Sequence, residues 1–66
     1  MAKVADMQQS MLLTIADVAR ELQLSRAKVY QLVYFEGLPV VTFGRAMRVR
    51  REALALWIEQ REQKAV

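Results

Sequence analysis

Two short runs hold the residues best suited to chemistry. In "SRAKVYQ", Arg26 carries a planar guanidinium, Gln31 an amide and Ala27 a bare methyl. Those groups pair respectively with guanine, adenine and the thymine methyl along the major groove of DNA. Val29, Leu32 and Val33 keep helical spacing and claim the inward face, so Arg26, Ala27, Tyr30 and Gln31 are expected to face outward. Lys28 suits a backbone phosphate. Ser25 suits one too, although helix capping alone explains a serine there. Tyr30 either reads a base, supports the helix or bonds a phosphate. In "GRAMRVR", Gly44 precedes Arg45, and Arg48 and Arg50 stand two apart, on one face of a strand. Met47 and Val49 then point to the core. Arg45, too exposed at a hairpin tip to serve the core, is expected to reach a minor groove or a phosphate.

Other chemistry is poorly provided for. The 66 residues include no cysteine and no histidine. That removes disulfides, thiolate metal sites, the commonest metal ligand and the usual general base. Seven carboxylates remain, none in an obviously buried apolar setting; Glu59 and Glu62 share a helix face but lie near a fraying end. No enzyme activity, metal, cofactor or small-molecule ligand is expected. No apolar run approaches the roughly 20 residues that span a bilayer. "MAKVADMQQS" lacks the apolar segment of a signal peptide, so a cytoplasmic protein without membrane contact is expected.

The net charge of +3 is unevenly distributed. Residues 20–51 hold seven bases against Glu21 and Glu36, a net of +5, while each flanking segment nets −1. A concentrated positive region is the footprint of a polyanion partner.

These residues need elements to position them. Thr14 caps a helix with Asp17 in its first turn and Ile15, Val18, Ala19 and Leu22 on one face. Ser25 caps a second helix to about Tyr34, and only Gln23 and Leu24 separate the two, which predicts a tight helix-turn-helix over 14–34. Gly37 and Pro39 end it. "VVTF" and "MRVR", joined around Gly44, predict a two-stranded hairpin over 40–50. From about Arg51, a last helix places Leu54, Trp57, Ile58 and Arg61 on a narrow stripe, expected to pack on the first two helices with Trp57 buried. Tyr34 and Phe35 are expected to pack under the hairpin. The class is α+β, mostly helical. Residues 1–11 and 63–66 are expected as tails around one domain over 12–62.

The run from Leu12 to Gln60 resembles the winged helix-turn-helix of phage excisionases and MerR-like DNA-binding domains. Ala19, Leu24, Ser25, Val29 and Leu32 occupy the signature positions. "VYQLVYFEGLP" is similar to the family's recognition-helix end, "TFGRAMRV" to its wing with a Gly-Arg tip, and "LALWI" to its closing helix. One departure is Gln23, where the family usually has glycine. If that residue is left-handed, the substitution costs on the order of 1 kcal/mol.

The resemblance implies an accessory protein, a recombination directionality factor that binds and bends attachment-site DNA and turns an integrase toward excision. The integrase and self-association along DNA are the partners it implies, with no long dimerisation helix of the kind MerR regulators carry. Two alternatives stand beside it. One is a small prophage or mobile-element transcriptional regulator. The other is a protein-interaction module, which the basic middle segment argues against.

Overall fold

The computed structural model describes residues 10–63. The order is β1 (Leu12–Thr14), α1 (Ile15–Leu22), α2 (Arg26–Phe35), β2 (Val41–Phe43), β3 (Ala46–Arg50) and α3 (Arg51–Arg61). Three helices and a three-stranded antiparallel sheet, in the order β1-β3-β2, make a winged helix-turn-helix. Most of the tail expected over 1–11, and all but Gln63 of the one over 63–66, lie outside the described residues.

Each helix boundary has a local cause. Thr14 Oγ1 accepts the Asp17 N–H at 3.0 Å, and Asp17 Oδ2 accepts the Thr14 N–H at 3.1 Å. This reciprocal capping box starts α1. At its end Gln23 is left-handed, with φ 59°. The Leu24 N–H reaches back to the Ala19 carbonyl at 2.9 Å and the Gln23 N–H to that of Arg20 at 3.2 Å, which satisfies carbonyls that the helix end exposes. Ser25 Oγ accepts the Lys28 N–H at 3.1 Å and starts α2. Helix α2 closes in the same way as α1: Gly37 is left-handed at φ 79° and the Leu38 N–H donates to the Leu32 carbonyl at 3.1 Å.

The core is aliphatic. Val18 and Val29 from the two helices meet Val49 of β3, all three fully buried, with Leu13, Ile15, Leu32, Leu38 and Leu54 around them. Val49 pairs with Leu13 in the β1–β3 register. Among the described residues no buried side-chain polar atom lacks a partner.

Several expectations are corrected here. The expected hairpin is there as β2 and β3, but the sheet has a third strand that was not expected: β1 pairs along β3 through Leu12–Arg50, Leu13–Val49 and Thr14–Arg48. The segment before it is also tied down, since Arg51 donates its N–H to the Met11 carbonyl at 2.8 Å and its Nε–H to the Ser10 carbonyl at 3.0 Å. Helix α3 runs on directly from β3, buries Leu54 in the common core and meets only the end of α2, through side chains, instead of lying along the first two helices. Its stripe is narrower than expected: Leu54 is buried, but Ile58 is exposed and Trp57 only half-buried. Trp57 works partly through polar contacts, because its Nε1–H donates to the Glu36 carbonyl at 3.4 Å and the Arg61 guanidinium lies 4.6 Å from its ring centroid. Arg61 in turn pairs with Glu36 at 2.8 Å, so three side chains fasten α3 to the end of α2. Tyr34 and Phe35 do not pack under the wing; they are 64% and 82% exposed. Tyr34 falls on the face of α2 opposite Val29 and Leu32 and Phe35 at its flank, and neither is covered by another element.

Candidate nucleic-acid interface

The three residues between the helices, Gln23, Leu24 and Ser25, hold α2 against α1 with one face left bare. Val29 and Leu32 are buried, Val33 half-buried, and Arg26, Ala27, Lys28, Tyr30 and Gln31 all exposed. At 100° per residue, Ala27, Gln31 and Tyr34 point directly away from the core. Arg26 and Tyr30 lie to one side of them, Lys28 and Phe35 to the other. The Ser25 hydroxyl is committed as acceptor to its capping bond, though it remains exposed.

The wing brings a second set of cations alongside. Its turn is built on Gly44, whose φ of 63° is available to glycine without strain. Phe43 and Ala46 pair across it, which leaves Arg45 exposed at the tip. Arg48, in the central strand between Thr14 and Val41, is half-buried, and its Nη1–H donates to the Met47 carbonyl at 2.9 Å. Met47 is half-buried and Val49 fully so, on the core side as expected.

Between α2 and the wing runs a cleft of about 430 Å³, lined by Arg26, Tyr30 and Tyr34 from the helix and by Arg45, Met47 and Arg48 from the wing, with the first turn of α1 closing one end. Tyr30 and Tyr34 stack there, ring centroids 6.3 Å apart and planes 12° from parallel. Among the described residues neither Arg26, Lys28, Arg45 nor Arg48 forms a salt bridge; the acids that do so pair with Arg20, Arg50 and Arg61. Asp17 is an acid whose charge is felt by Arg48 at this cleft. Its carboxyl is held below the usual aspartate range, mainly by the Thr14 backbone N–H and hydroxyl, with Arg20 and Arg48 adding to the effect.

The cleft therefore unites Arg26, Tyr30, Arg45 and Arg48 from the residues singled out in sequence. Arg50 stands apart. It shares the strand with Arg48 but pairs with Glu52 at 3.1 Å and lines a different surface, beside Met11 and Arg51. The expected ladder of two arginines toward solvent is thus a half-buried Arg48 and a neutralised Arg50. Tyr34 is the lining residue that sequence reasoning assigned elsewhere. Its signal was available, since positions 26, 30 and 34 recur at four-residue spacing. No group of histidine, cysteine and acidic side chains able to hold a metal occurs among the described residues, and none of their helices is long and apolar enough to cross a membrane.

A family model described as a helix-turn-helix domain matches residues 12–62. Two Mycobacterium tuberculosis proteins are similar: "Putative DNA-binding protein MT0521" of strain CDC 1551 / Oshkosh and "Putative DNA-binding protein Rv0500A" of strain ATCC 25618 / H37Rv. Each is 41% identical over 46 residues, which cover 70% of this chain but 59% of the relative. No solved structure matches.

Proposed function

The chain belongs to the helix-turn-helix domain family, and on that premise we propose that it binds double-stranded DNA sequence-specifically, with α2 in the major groove and the wing beside it. One observation carries the reading. One side of α2 and the wing line a common cleft on which Arg26 and Arg45 have no carboxylate partner among the described residues, and Lys28, on the other side of the bare face, has none either. Unpaired cations around a cleft are the arrangement a phosphate backbone neutralises. The names of the mycobacterial relatives point the same way.

On this reading Ala27 and Gln31 meet base edges, and Ser25, Lys28 and Tyr30 flank them. Gly44 sets the turn that carries Arg45 to the backbone or minor groove, with Arg48 behind it. Arg50 contributes only charge at the margin. The finer role is an excisionase-type accessory protein of a mobile element, acting in the bacterial cytoplasm. It would bend attachment-site DNA and bias an integrase toward excision. What supports that role is the resemblance in order and spacing from Leu12 to Gln60.

Fluorescence anisotropy on a library of duplexes tests the binding, followed by selection of the preferred site. Affinity is expected to fall by orders of magnitude between about 50 and 200 mM salt. No retention of any duplex at the lower salt would sink DNA binding. A reconstituted recombination assay with the integrase encoded nearest the gene tests the finer role. Stimulated excision supports it, whereas repression of a neighbouring promoter without any effect on excision makes the protein a transcriptional regulator.

A further inference from the structure

We infer that the cleft between α2 and the wing is a seat for a DNA backbone phosphate, and that Arg26 grips that phosphate instead of reading a base. The inference rests on the DNA-binding reading and assigns its parts. From the sequence, Arg26 and Gln31 belong together as readers on one outward face. The fold separates them. Ala27 and Gln31 point away from the buried Val29 and Leu32 and lie outside the cleft, whereas Arg26, Tyr30 and Tyr34 line it opposite the wing.

Geometry then defines what enters the cleft. A helix in the major groove and a wing in the adjacent minor groove have the sugar–phosphate strand between them, because that strand is the wall dividing the two grooves. The space of about 430 Å³ between these elements is bounded by Arg26 on one side and Arg45 and Arg48 on the other. Arg26 and Arg45 line the cleft with no carboxylate partner among the described residues, and Arg48 beside them is offset only by Asp17, so the cleft carries a net positive charge that favours an anion. A phosphodiester offers two non-bridging oxygens to planar guanidinium forks. The stacked Tyr30 and Tyr34 rings add an apolar wall for the deoxyribose.

The test uses the full chain and two probes. The first is duplex binding by wild type, Arg26→Ala and Gln31→Ala, on the selected site and a scrambled one, across several salt concentrations. Arg26→Ala is expected to weaken both duplexes by the same factor, about tenfold, and to flatten the slope of log affinity against log salt by about one unit. The preference between duplexes should survive in Arg26→Ala and shrink in Gln31→Ala. Lost preference with an unchanged slope in Arg26→Ala would overturn the assignment and make Arg26 a reader.

The second probe is inorganic phosphate, added to labelled protein at constant ionic strength against chloride and followed by NMR. Shifts should concentrate on Arg26, Tyr34, Arg45 and Arg48 and vanish in Arg26→Ala. Shifts absent from the cleft, or unchanged in that variant, refute the seat. Should wild type bind no duplex, the DNA reading falls and the phosphate shifts alone decide the seat.

Discussion

Asp17 joins the fold to the interface within one side chain. Its carboxylate closes the capping box with Thr14, holds Arg20 at 2.6 Å and lies within the field of Arg48. Its folded-state pKa is depressed, so the stabilisation is present above the unfolded aspartate value and is lost as pH falls through the folded one. Asp17→Asn removes the charge while keeping the shape. At pH 7 it should cost no more than about 1 kcal/mol, because the side chain is a third exposed and solvent screens its ion pair. Thermal melts of both proteins at pH 7 and below about pH 3.5 check this. The gap in Tm should close in acid; an equal gap at both pH values would mean that the charge plays no part.

At the scale of elements, the turn between α1 and α2 is where the sequence works against itself. Gln23 is the one non-glycine residue with positive φ among the described residues, in the turn that sets the angle between the two helices. Gln23→Gly relieves the clash of a Cβ with its own backbone and should raise stability by up to about 1 kcal/mol, read from denaturant unfolding. A loss of stability would show that the Gln23 side chain makes a compensating contact. Helix α3 depends on a different device. With Trp57 half-buried, Trp57→Ala should cost about 2–3 kcal/mol, below the roughly 3–5 that follows from full burial. Trp57→Phe keeps most packing and forfeits the bond to Glu36. If it melts with Trp57→Ala rather than near wild type, the indole N–H matters more than its area.

For the whole molecule, the sheet ties together residues far apart in the chain. Leu13 and Val49 pair at the centre of the core, and Arg51 reaches back to Ser10 and Met11. The wing is therefore anchored by β1, not only by its own turn. Leu13→Ala should cost about 2–5 kcal/mol. A domain of this size has roughly 3–10 kcal/mol in all, so much of the fold's margin would be lost. The melting curve and the amide spectrum of β3 report this together. If Leu13→Ala melts like wild type with β3 amides unmoved, β1 is dispensable and the wing stands on the helices alone.

Local chemistry was legible in the chain. Thr14 with Asp17, Ser25 with the Lys28 amide, the breakers Gly37 and Gly44, and the spacing of Val29 and Leu32 each act within a few residues, so short stretches sufficed to predict two helices, a tight turn and a hairpin. The basic middle segment was legible for the same reason. Strand β1 was not, because three residues carry no period of their own and become a strand only by pairing with residues 48–50. Nor were the fates of Arg48, Arg50, Tyr34 and Trp57. Each depends on what another element brings near: Asp17 for Arg48, Glu52 of α3 for Arg50, the wing cleft for Tyr34, and the Glu36 carbonyl for Trp57. Sequence specified which faces were polar; only the packing of α2 on α1, which itself lies against β1 and β3, decided which cations share a cleft.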